Sequence, residues 1–241
     1  MAIPTRYLLP GLACIVFLSG CKAEKPVEQK KPAPAVIVRP KHARLSAEQR
    51  KELGFPASLI AKVELAAGAE AEPFFRTVVM HSENLKGDKE YESRKLTGFS
   101  VHAKRSNDVI DALRASLRAQ GYLIFKTRKG YGRLPDTLTV VKGNNSYDIL
   151  KIQSTEGLNY HLDTKAIIAW LKEQQHVGTF VVIGAGPDWV EARFVKPPQD
   201  MLSFAKKVNA FAPDVLVNGP KTIDKLAERM TRTNGFSLVW D

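Results

Sequence analysis

The residues best suited to chemistry are the carboxylates and large rings near the C-terminal end: Asp163, Asp188, Trp189, Glu191, Trp240 and Asp241. Two carboxylates on one cleft can act as acid and base when burial separates their pKa values, and a ring beside them can shield the cleft from water. Each residue also has a structural use. Asp163 precedes an apolar-periodic run as a helix cap would, Asp188 sits in turn-forming sequence, and tryptophans fill cores. The expectation is therefore contact with a ligand or partner by Asn159, Tyr160, Asp188, Trp189, Glu191, Trp240 and Asp241, with no residue assigned as catalytic. A hydrolase using Asp163, Asp188 and Glu191 is the alternative.

Other motifs carry less. VVIGAGP, residues 181–187, looks like the opening of a dinucleotide-binding turn, but Trp189 stands where the third glycine of that motif belongs, and VEARFV continues with strand period. It reads as a hairpin turn, and no cofactor is expected. GFSVH has His102 in place of the second glycine of a nucleophile elbow, so Ser100 reads as a strand residue. His42, His81, His102, His161 and His176 lack metal-ligand spacing, and no metal is expected. KTRKGYGR, 126–133, interleaves basic residues with Tyr131, and the formal charge is +11. That pattern suits nucleic acid or an anionic surface, between which the N-terminal sequence decides, but a solvated basic surface hairpin is the first expectation.

Residues 1–20 place Arg6 before an apolar stretch too short to span a bilayer and end in Leu18-Ser19-Gly20, followed by Cys21. This resembles a bacterial lipoprotein signal peptide. The resemblance implies cleavage before Cys21, acylation of its thiol, and attachment to the cell envelope; Lys22 after it implies the outer membrane, facing the periplasm. Two or three acyl chains anchor stably, since each buried methylene contributes about 0.8 kcal/mol. With Cys14 in the signal and Cys21 carrying lipid, no disulfide is expected. The expected partners are the membrane and an envelope protein or ligand, not nucleic acid.

The elements that would position the chemistry follow from periodicity. Residues 21–44 hold Pro26, Pro32, Pro34 and Pro40 among lysines, the composition of an extended, disordered tether reaching roughly 70 Å at about 3.1 Å per residue. Ser46 with Gln49 predicts a capped helix ending at Gly54. Leu59–Ala66 and Phe74–His81 read as strands, 82–95 as a charged loop, Phe99 to Ala103 as a strand, and Ser106 as the cap of a helix with Val109, Ile110, Leu113 and Leu117 inward. Tyr122–Phe125 returns as a strand.

From Asp148 to Ile152 alternation predicts a strand, and Leu158–Leu162 a second. Asp163 opens a helix with Ile167, Trp170 and Leu171 on its buried face. Phe180–Ile183 and Trp189–Val195 make a hairpin. Two helices carrying Phe204 and Val208, then Leu226 and Met230, precede a last strand at Phe236–Trp240. FSVHAKRSNDVIDALRASLRAQGYLIF and NYHLDTKAIIAWLKEQQHVGTFVVI read as two copies of a strand-helix-strand unit. The fold class is α/β (α+β), a mixed sheet with amphipathic helices packed on it. YDIL, GLNY, GAGPDWVEARF, APDVL and SLVWD together resemble the bacterial family of domains of unknown function 4253 over residues 135–241. That resemblance implies a small α/β domain and assigns no activity. Residues 45–134 form the N-terminal α/β region, without a family.

Overall fold

Ser46 Oγ accepts a hydrogen bond from Gln49 N–H while Gln49 Oε1 accepts one from Ser46 N–H. This reciprocal cap starts α1 (Ala47–Leu53), and Gly54 ends it at φ 61°. The computed structural model describes residues 43–82, 89–217 and 219–241. The expected signal peptide, Cys21, most of the expected tether and His42 lie outside the described residues. Among those described, no helix is long and apolar enough to cross a membrane.

The strand expected at Leu59–Ala66 is instead α2 (Ala57–Ala67). Leu59, Ile60 and Val63 are buried at helical spacing, alanines favour the helix, and Pro56 is tolerated at its start. β1 (Glu72–Ser82) pairs antiparallel with β2 (Lys89–Ala103). The predicted loop at 82–95 is therefore corrected over 89–95, where main-chain pairing to β1 needs no apolar side chains; 83–88 lie outside the described residues. α3 (Ser106–Ala119) buries the four predicted apolar residues, but Arg105 occupies its cap position. Ser106 Oγ donates instead to Asp136 Oδ2 at 2.5 Å.

β3 (Tyr122–Arg128) and β4 (Asp136–Lys142) form a hairpin. Asp148–Ile152, expected as a strand, lies in α4 (Asp148–Gln153): Ile149 and Leu150 are both buried, which adjacent strand residues on a one-sided sheet would not be. Leu158–Tyr160 is a single 3-10 turn closed by a bridge between Gly157 and Leu162, so the second copy of the supposed repeat lacks its first strand. Asp163 Oδ1 accepts from Ala166 N–H at 2.7 Å and starts α5 (Thr164–Gln174). β5 (Thr179–Ala185) and β6 (Trp189–Lys196) form the expected hairpin. α6 (Met201–Phe211), the short α7 (Asp214–Val217), α8 (Ile223–Thr233) and β7 (Gly235–Val239) complete the chain.

Among the described residues, seven strands make one mixed sheet in the order β1-β2-β4-β3-β5-β6-β7, with helices packed on it. Every neighbouring pair is antiparallel except β3 and β5. Strand alternation separates two cores. Phe99, Val101, Ile124 and Val140 pack with α1–α3, while Leu123, Phe125, Val182, Val190 and Ala192 pack with α4–α8. The helices α1–α3 add no residue of β6 or β7 to their apolar core, and α3 reaches this end only at Arg193, 3.7 Å from Asp111, so Trp189 and Glu191, which alternate with Val190 and Ala192, face a side of the sheet that those helices leave uncovered. Residues 45–134 and 135–241 meet in the connection between β3 and β4 and supply strands to the same sheet.

Candidate functional site

A cavity of about 620 Å³ opens over the uncovered end of the sheet. Its floor is β6 and β7, its near wall is the start of α3 and the β3–β4 loop, and its far wall is α7 and α8. Lys126 lines it, with its side chain 6% exposed. A lone ammonium at that depth would be strongly disfavoured, and it is stabilised by partners. Its Nζ is 3.2 Å from Asp136 Oδ2, 3.2 Å from Glu191 Oε2 and 3.2 Å from Asn107 Oδ1.

Asp136 is the better fixed of the two carboxylates. Burial alone would raise its pKa, but hydrogen bonds from Gly130 N–H at 2.6 Å and from Ser106, together with the Lys126 ammonium, outweigh burial and hold it below the usual carboxylate range. Lys129 is the first residue after β3. Its Nζ lies 3.7 Å from Glu191 Oε2 and 4.1 Å from the centroid of the Trp189 ring, within reach of a cation–π attraction. Burial pushes its ammonium below the usual lysine range; Glu191 opposes that shift, and the charges of Lys126 and Arg229 add to it.

Two glycines make room for this arrangement. Gly184 pairs with Lys126 on one side and Glu191 on the other, and a Cβ there would fall 2.9 Å from Lys126 Cβ and 3.1 Å from Trp189 Cζ3. At Gly186 a Cβ would fall 2.2 Å from Trp189 Nε1. The residues that imitate a phosphate-binding turn thus seat a buried ion pair and an indole ring.

Among the residues singled out from sequence, Asp188, Trp189, Glu191 and Asp241 line this cavity. The other three form a clasp around the chain end. Asn159 Nδ2 donates to Asp241 O at 2.8 Å, and the Tyr160 hydroxyl donates to Asp214 Oδ1 at 2.8 Å, which raises the Tyr160 pKa. Asp214 Oδ2 accepts from Asp241 N–H at 2.9 Å. Trp240 is buried, with Nε1 donating to Phe211 O at 3.2 Å. Asp163 is an exposed helix cap and does not line the cavity, so the three carboxylates proposed for hydrolysis do not converge. His102 Nε2 lies 3.2 Å from Glu72 Oε1, and no group of three or more metal-ligating side chains converges among the described residues.

Sequence reasoning missed Lys126, Lys129, Asp136, Asn107 and Arg229 as members of the site. One signal was present: Lys126 follows Leu123, Ile124 and Phe125 within a strand, where a charge needs a partner. Reading KTRKGYGR as one basic surface loop concealed it, because the strand continues to Arg128.

Neither the curated proteins nor the solved structures contain a match to the chain. The cavity is built from both sides of position 137: Asn107, Lys126, Lys129 and Asp136 precede it, while Trp189, Glu191 and Arg229 follow it. From there to the end, residues 137–241 match the family model described as a domain of unknown function (DUF4253).

Proposed function

We propose that the protein is a lipid-anchored lipoprotein of the bacterial cell envelope whose folded domain captures a ligand in the cavity over β6 and β7. The observation that carries the ligand site is the division of charge within it. Lys126 is fully engaged by Asp136, Glu191 and Asn107, whereas Lys129 has one carboxylate at 3.7 Å and the exposed Arg229 has no ionic partner among the described residues. Val215, Leu226, Met230 and Phe236 add apolar wall, and the volume is that of a small-ligand pocket. Asp188 and Asp241 also line the cavity, so an amphiphilic ligand that directs its anionic group to Lys129 and Arg229 suits it. The fixed ion pair shapes the floor, and binding without chemistry is the function it supports.

The anchor reading is supported by Leu18-Ser19-Gly20-Cys21 and by the Pro- and Lys-rich residues 22–44. Cys21 carries the lipid, the tether holds the domain away from the headgroups, and Lys22 favours the outer membrane facing the periplasm. Mass spectrometry of the chain from native envelopes tests the anchor: acyl chains on Cys21, lost with membrane association in Cys21→Ala, are expected. An unmodified Cys21 would overturn it. The cavity is tested with anilinonaphthalene sulfonate as an anionic aromatic probe, whose binding is expected to weaken in Lys129→Ala.

A further inference from the structure

The last strand of the sheet, β7, has no strand beyond it among the described residues. Asn234 O accepts from Phe194 N–H, and Trp240 N–H donates to Asp188 O, so residues 234, 236, 238 and 240 direct their main-chain groups toward β6. By the alternation of an antiparallel ladder, Gly235, Ser237 and Val239 direct theirs outward. Gly235 O meets the Thr233 hydroxyl at 3.4 Å, and no protein partner meets those of Ser237 or Val239 among the described residues. All three residues line the cavity. An open strand edge is a template for another strand, and folded proteins ordinarily cover it.

A ligand filling this cavity therefore meets main-chain donors and acceptors at strand spacing, with Lys129 and Arg229 on the walls and Asp188 and Asp241 at the Val239 end, where it must present uncharged groups. We infer that the cavity takes an extended acidic peptide segment, which adds to β7 by pairing with Ser237 and Val239 and directs carboxylates toward Lys129 and Arg229. The inference rests on the cavity being the ligand site. Main-chain pairing supplies affinity in this mode, and side-chain pockets supply selectivity. The five residues of β7 accommodate a stretch of about three or four residues, roughly 10–13 Å at strand rise.

The test uses the full chain carrying Cys21→Ala and a fluorescein-labelled heptapeptide of alternating Glu and Val, read by anisotropy. Two control peptides accompany it, one N-methylated at alternate residues and one with Lys in place of Glu. Each control is expected to bind at least about tenfold more weakly, because one loses main-chain pairing and the other its charge match. Arg229→Ala is expected to weaken the acidic peptide roughly fivefold, and bound peptide to slow amide exchange at Ser237 and Val239. Equal binding of the N-methylated peptide, unchanged exchange at those amides, or full affinity in Arg229→Ala would each overturn the inference. If the peptide does not bind while anilinonaphthalene sulfonate binds and is weakened by Lys129→Ala, the peptide assignment falls and the cavity remains a ligand site. If neither binds, both fall.

Discussion

Lys126 Nζ reaches Glu191 Oε2 at 3.2 Å across the strand that separates their own. Lys126, Gly184 and Glu191 stand in one row over β3, β5 and β6, and the glycine between them leaves the space the lysine stem occupies. Gly184→Ala places a methyl group against Lys126 Cβ at 2.9 Å and its carbonyl oxygen at 3.1 Å, the latter being backbone that yields little. Overpacking of this kind costs about 1–3 kcal/mol, which urea denaturation of the variant against the parent will read.

Removing the cation should cost more than crowding it. Lys126→Met leaves Asp136 and Glu191 facing each other's charge in a site where the lysine side chain is 6% exposed. Breaking a buried ion pair from one side costs about 3–5 kcal/mol, whereas replacing all its members together is often neutral. The triple variant Lys126→Met, Asp136→Asn, Glu191→Gln is expected to regain most of the loss in the same denaturation experiment.

The acid limb of the stability profile should carry a contribution from Asp136. Its folded pKa lies below its unfolded value because hydrogen bonds from Gly130 and Ser106 and the Lys126 ammonium outweigh burial. A carboxylate depressed in this way contributes stability that is present above the unfolded pKa of about 3.9 and is lost as pH falls through the folded one. Melting temperatures followed into acid should fall less steeply for Asp136→Asn than for the parent chain.

Asp163 separates packing from binding. Its carboxylate caps α5 through Ala166 N–H and lies away from the cavity lining. Asp163→Ala should lower stability by about 1 kcal/mol and leave the affinity for anilinonaphthalene sulfonate unchanged. An affinity loss larger than the stability change would return Asp163 to the ligand site.

What the sequence made legible was local. The Ser46–Gln49 cap, the α3 face of Val109, Ile110, Leu113 and Leu117, the β5–β6 hairpin and the cap at Asp163 all depend on neighbours within a few residues, and all are present. The short apolar segments were not legible, because Ile149-Leu150 and Leu59-Ile60 suit a strand or a helix until packing decides. The site divided on the same principle. Asp188, Trp189 and Glu191 are adjacent in sequence and were read together, whereas their companions Lys126 and Asp136 become neighbours only when β3, β5 and β6 align. The glycines of VVIGAGP were visible from the start, but their purpose depends on Lys126, which lies more than fifty residues earlier.

The parallel junction of β3 with β5 gives the Lys126–Glu191 bridge a further consequence. Hairpin pairs lie on both sides of that junction, and its register is carried by the pairing of Lys126 with Gly184. An ion pair spanning the junction makes the opening of either half expose charge belonging to the other. The bridge thereby adds an electrostatic coupling between the two halves to the apolar cores that already span the junction through Phe125 with Val182 and Ile124 with Ile183.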